Sequence, residues 1–155
     1  MWPGRECTSS VDVESVTERN KQRLRIFVEA VLNDGRLELI EELVAADFVG
    51  HMTGASSPVV GPAAVRWLVS TGRGAYADLY IKIEDQIAEE DRVVLRWRAT
   101  ATPAGASSNP SAPGARCTGV SIVRFLAGKL VDAQVECPPV PFDWVGVKAP
   151  DSERR

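Results

Sequence analysis

The stretch Gly119 to Pro139, GVSIVRFLAGKLVDAQVECPP, constrains this chain more than any other. Two runs with strand character flank a short turn at Ala127-Gly128, and glycine supplies the positive φ that such turns need, so the stretch reads as a β-hairpin. Side chains along a strand alternate between faces. In the second run Val131, Ala133, Val135 and Cys137 share one face, and Asp132, Gln134 and Glu136 share the other. Three polar groups in a row have two readings. Antiparallel sheets often keep one side wet, and the pattern taken alone favours that side. The alternative is a row lining an enclosed pocket, with two carboxylates placed for proton transfer.

The rest of the chain supplies what such a hairpin packs against. Residues 1–14 lack periodicity and read as a mobile tail. Ser15 followed by Glu18 forms a capping box that predicts a helix start. Leu24, Phe27, Val28 and Val31 then recur at helical spacing, and Asn33-Asp34-Gly35 predicts the helix end, with Gly35 as a left-handed cap. A shorter helix carries Leu37, Ile40, Leu43 and Val44. Asp47 to Met52 reads as extended and Thr53 to Pro58 as loop. Gly61-Pro62 opens a third helix striped with Val65, Leu68 and Val69, with Trp67 assigned to core packing.

Leu79, Ile81 and Ile83 then alternate with Tyr80, Lys82 and Glu84, and Val93 to Thr102 alternates in the same way after a turn at Glu89-Glu90-Asp91. Pro103 to Ala115 is too long for a tight hairpin turn and reads as a flap. Val140 to Val147 returns Phe142 and Trp144 to the body, and 148–155 reads as a frayed end. Helices first and hairpin-joined strands afterwards indicate one α+β domain over residues 15–147, a curved antiparallel sheet wrapped around the N-terminal helices with a cavity between.

Composition narrows the function classes. At 155 residues with 45% hydrophobic and 25% charged residues, the chain has the make-up of a single globular domain with a real core. A formal net charge of -3 argues against nucleic acid as a partner, because phosphate binding needs a basic surface. No apolar run reaches membrane-spanning length and no signal pattern opens the chain, so the expected location is the cytoplasm, with no membrane partner. Cys7, Cys117 and Cys137 are odd in number and lack metal-ligand spacing. In the simplest register Cys117 and Cys137 face opposite sides of neighbouring strands, which predicts buried free thiols. One histidine and no CxxC or HExxH pattern leave no zinc site to expect.

Several segments in order carry a family resemblance: NKQRLRIFVEAVLNDGRLELIEELVAADFVGH, GPAAVRWL, AYADL, IEDQIAEEDRVVLRWRATAT, GVSIVRF and AGKLVD, together spanning about Asn20 to Glu136. The chain resembles the SnoaL-like polyketide cyclase (ester cyclase) group of the nuclear-transport-factor-2-like superfamily. The resemblance implies a cone-shaped α+β barrel with a deep apolar pocket, assembled as a homodimer or larger homo-oligomer. It also implies a small-molecule substrate and ring closure by intramolecular aldol condensation without metal or organic cofactor. Relatives of this fold open epoxides, isomerise ketosteroids, dehydrate, or bind ligands without chemistry, so the fold yields a set of candidate reactions.

The departures bear on the site. Pro103 stands where the family carries a histidine after RWRATAT. Gln134 stands at its tryptophan position, and Pro138 at its acidic position. Proline neither takes nor gives a proton. Glu136, one strand repeat earlier on the same face, is the substitute base. An apolar cone would raise its pKa by desolvation into the range of acid–base work. Asp132 is the second carboxylate, for an epoxide-opening alternative. His51 matches a family histidine and would polarise a carbonyl or relay a proton.

Gln134 offers an amide to hold a substrate oxygen. Trp97, inward on the Leu95 parity, supplies a flat apolar wall. Ser121, beside Gln134 in the simplest register, would help hold a polar ligand; it has no acid–base partner as a nucleophile. Arg96 and Arg98 fall on the opposite face. Three readings stay open: cyclase, epoxide-opening enzyme, and non-catalytic binding or assembly protein.

Overall fold

The computed structural model describes residues 8–76, 78–102 and 115–137. The Pro103–Ala115 flap up to residue 114, the returning Val140–Val147 segment, both chain ends, Cys7 and Pro138 lie outside the described residues. Helix α1, Thr8–Ile26, begins seven residues before the capping-box position and runs into a π-helical stretch, Phe27–Asn33. The stop is the predicted one. Gly35 takes φ +72° and its N–H donates to the Val31 carbonyl at 3.1 Å, while the Arg36 N–H reaches Ala30 O at 2.9 Å. Those bonds satisfy carbonyls that a helix end otherwise leaves orphaned. Asn33 then clips the helix end to the sheet. Its Nδ2 donates to Ile81 O at 2.9 Å, and the Ile81 N–H donates to its Oδ1 at 2.7 Å.

A 3-10 turn, Leu37–Leu39, and the one-turn helix α2, Ile40–Leu43, lead directly into strand β1, Val44–Met52. Val44, expected on the helix, is already extended. After the short strand β2, Val59–Val60, helix α3 spans Gly61–Ala75 with proline in its first turn. Its buried stripe is Val65 and Val69, whereas Trp67, assigned to the core from sequence, is 43% exposed on the far side. Strands β3 (Tyr80–Glu89), β4 (Arg92–Ala101), β5 (Ala115–Leu126) and β6 (Lys129–Glu136) follow as antiparallel neighbours.

Among the described residues, six strands make one curved, unclosed sheet in the order β2-β1-β6-β5-β4-β3, with β1 parallel to β6. The fold is mixed α+β, as expected. The helices pack on one face. Leu24, Val28 and Val31 from the first helix and Ile40 and Leu43 from α2 meet Val93, Leu95, Val123 and Phe125 from the strands. On β4 the predicted alternation holds throughout, with Val93, Leu95, Trp97, Ala99 and Ala101 buried.

The β5–β6 hairpin turns as predicted, with positive φ at both Ala127 (51°) and Gly128 (78°), the geometry that suits the twist of a two-residue hairpin. Two pairs beyond the turn, however, the register slips. Leu126 pairs with Lys129 and Phe125 with Leu130, but Arg124 pairs with Asp132, leaving Val131 as an extra residue in a β-bulge. Because the side-chain period is two, one extra residue sends everything beyond it to the opposite face. Without the bulge Ser121 would face Gln134. With it Ser121 pairs with Val135 and Gln134 pairs with Ile122.

Candidate functional site

The bulge decides what the helix-covered face of β6 is made of. Leu130, Ala133, Val135 and Cys137 all line an internal cavity of about 170 Å³ between sheet and helices. Phe48, Gly50 and Met52 of β1 continue that wall, by the same alternation that puts His51 on the other side. Leu24, Phe27, Val28 and Leu32 roof it from the first helix, and Val65, Leu68 and Val69 from α3.

Polar groups on this wall are few. Trp97 and Ser121 make a buried pair in which the indole Nε1–H donates to Ser121 Oγ at 3.0 Å. The serine hydroxyl is thereby fixed as an acceptor and keeps its own proton for another partner. Gly119 makes room for the indole, since a Cβ there would stand 2.3 Å from Trp97 Cζ2 and 2.7 Å from Glu136 O. Among the described residues Arg73 is the one charged residue lining the cavity. Its Nη1 is held by the Asn33 carbonyl and, at 3.3 Å, by Leu32 O, so its charge rests on the carbonyl end of the π-helical stretch. Arg73 has a signal in the sequence, since it continues the Val65, Val69 stripe at i+4.

The site residues expected from sequence are therefore split by the sheet. Trp97 and Ser121 are inside, 7% and 8% exposed. Glu136, Gln134 and His51 are exposed on the outer face, and Asp132, half-buried, lies on that face too. The inward orientation expected for Gln134 and Glu136 is thus corrected. The reason is the bulge at Val131, which turns the polar row to solvent and the Ala133, Val135, Cys137 row to the interior.

The outer row does bring predicted residues together. Gln134 pairs with His51 in the parallel ladder, Asp132 lies opposite Arg124, and Glu136 Oε2 accepts from Thr53 Oγ1 at 2.8 Å. Glu136 also lines an open cleft of about 460 Å³ with Glu84, Arg96, Arg98 and Thr118, where Arg98 Nε stands 3.6 Å from Glu84 Oε1. Arg96 and Arg98 face outward as expected. Cavity and cleft share Trp97 and Cys137 as wall residues.

The two described cysteines correct a second expectation. In the bulged register Val120 pairs with Glu136, which sets Cys137 across from Gly119, on the same inner face as Cys117. Cys117 is buried, and desolvation pushes its thiol up to about 11, with the neighbouring Cys137 adding to the rise. Among the described residues no group of three His, Cys, Asp or Glu side chains is arranged to hold a metal ion. No described helix is long and apolar enough to cross a membrane.

Comparison with known proteins agrees with this architecture. The chain is similar over 79% of its length to AclR of Streptomyces galilaeus, at 27% identity, 90% coverage of that chain and a TM-score of 0.64. A SnoaL-like protein from Jannaschia sp. CCS1 shares the fold at 15% identity, with 94% of each chain covered and a TM-score of 0.68. An LEH-like epoxide hydrolase of M. tuberculosis shares it at 13% identity, 79% and 80% coverage and a TM-score of 0.65. Among curated protein sequences none matches. The family model for SnoaL-like polyketide cyclases matches residues 22–136, from the first helix to the last residue of β6. With that match spanning most of the described fold, the chain belongs to the SnoaL-like polyketide cyclase family.

Proposed function

We propose that this family member binds an apolar cyclic small molecule, or the ring-bearing end of a longer one, and reads a single polar atom on it with Ser121. The observation that carries this reading is a cavity wall on which, among the described residues, Arg73 is the only charge and Trp97–Ser121 the only buried polar pair. A volume of about 170 Å³ is of the order that takes one aromatic ring. A buried hydroxyl acceptor with a spare proton is the usual kind of orienting group in such a pocket.

The reading is tested by calorimetric titration with phenol, a single ring with one hydroxyl. Expected outcomes are saturable binding to the native chain, about ten-fold weaker binding to Ala133→Leu, which fills the wall, and unchanged binding to Glu136→Gln. Equal binding to Ala133→Leu and the native chain sinks the proposal.

A second reading keeps ring closure by general acid–base chemistry, with Glu136 taking the proton and His51 or Gln134 stabilising the oxygen that gains charge. It is favoured by the wall that cavity and outer cleft share at Trp97 and Cys137, since a ligand reaching past Cys137 would meet Glu136. The burial on which a strong base role rests is absent at Glu136. We therefore rank binding first.

A further inference from the structure

We propose that Cys117 and Cys137 are a dithiol that forms a reversible intramolecular disulfide by exchange with a small-molecule disulfide. Three observations meet here. The bulged register puts both side chains on the inner face, offset by one strand repeat. Cys137 is near enough to add to the rise of the Cys117 thiol, whose Sγ–H donates to Thr118 O at 3.7 Å, and both cysteines are free. Cys137 stands one residue past the end of β6, whose last ladder pair is Val120 with Glu136. Diagonal partners on a regular ladder stand farther apart than a disulfide spans. A residue beyond the ladder has the backbone freedom to close that difference.

Exposure sets the order of events. Cys137 is half-buried and reachable, whereas Cys117 is 3% exposed. The Cys137 thiolate attacks one sulfur of glutathione disulfide, the S–S bond breaks, and one glutathione thiolate leaves and takes up a proton. Cys117 gives its proton to solvent and attacks the Cys137 sulfur, expelling the second glutathione as a thiolate that is protonated in turn. Two protein thiols are oxidised and one glutathione disulfide is reduced to two thiols. The new bond ties the open end of β6 to β5 beside Gly119 and Trp97, at the wall shared by cavity and cleft.

The test uses the full chain carrying Cys7→Ser, equilibrated in glutathione buffers from reducing to oxidising, acid-quenched, alkylated and mapped without reduction. The expected result is a linked pair of peptides containing Cys117 and Cys137, lost again on adding dithiothreitol. Cys117→Ser in the same background stops at a mixed disulfide on Cys137, and Cys137→Ser leaves native Cys117 unoxidised. Two results overturn the proposal: a mixed disulfide that persists on Cys137 while Cys117 stays a free thiol, or no oxidation of either residue at any buffer composition.

Discussion

The two faces of the β5–β6 hairpin share a backbone and differ in almost everything else. On the helix side Ser121, Val123, Phe125, Leu130, Ala133, Val135 and Cys137 form an apolar wall with one hydroxyl in it. On the open side Val120, Ile122, Arg124, Asp132, Gln134 and Glu136 mix aliphatic, cationic and acidic groups in solvent. The sorting is not graded along the strands. It turns over at one residue, Val131, because a bulge changes parity at a single step. Membership of a family named for its cyclases therefore does not by itself place an acid or base in the cavity. That depends on the register of the last strand.

The largest expected effect comes from putting a charge on the wrong face. Ala133, 7% exposed, lies on the apolar wall opposite Val123, and its neighbour Gln134 lies outside opposite Ile122. Ala133→Asp places an unpaired carboxylate against that wall, so a loss of about 3–5 kcal/mol is expected in urea unfolding, whereas Gln134→Ala is expected to change stability by about 0.5 kcal/mol or less. Equal losses for the two variants would show that the bulge does not hold the two faces apart.

A smaller effect separates the inner thiol from outer groups. The Cys117 thiol titrates near 9.0 in an ordinary setting and at about 11 in the folded chain, so the folded state keeps its proton longer than the unfolded one. The stability linked to it is complete below pH 9 and is lost as pH rises toward 11, by about 2–3 kcal/mol. Comparing the slope of stability with pH for the parent and for Cys117→Ala isolates that part, and equal slopes would place the thiol in solvent instead.

The smallest effect tests the turn that joins the faces. Ala127 sits at φ 51°, where an ordinary side chain is strained. Ala127→Asn, which gives the Asn-Gly turn, is expected to add about 0.5–1 kcal/mol of stability with no change in phenol affinity. A change in that affinity would mean the turn sets the register as well as the bulge does.

Much of the fold was legible because its signals are local. The Gly35 cap, the Gly61-Pro62 helix start, the β4 alternation and the Ala127-Gly128 turn are each specified within a few residues, and each occurs where expected. Trp97 and Ser121 could be placed inward because β4 has no interruption to its parity there and β5 pairs with it in one continuous register. Glu136, Gln134 and the Cys117–Cys137 relation were misplaced for one common reason. Counting from the turn gives the unbulged register, and nothing in LVDAQVE marks Val131 as extra. The solvated-face reading of the polar row, favoured by the pattern alone, was sounder than the inward one drawn from the resemblance.

What the amino-acid order determined by itself is the set of elements, their polarity and the family to which they belong, since periodicity, caps and turn residues act over short range. Tertiary structure decided which side of β6 meets the helices, the parallel pairing of β1 with β6 and the meeting of the two thiols. Those depend on register between segments far apart in the chain, where a shift of one residue reverses every side chain beyond it.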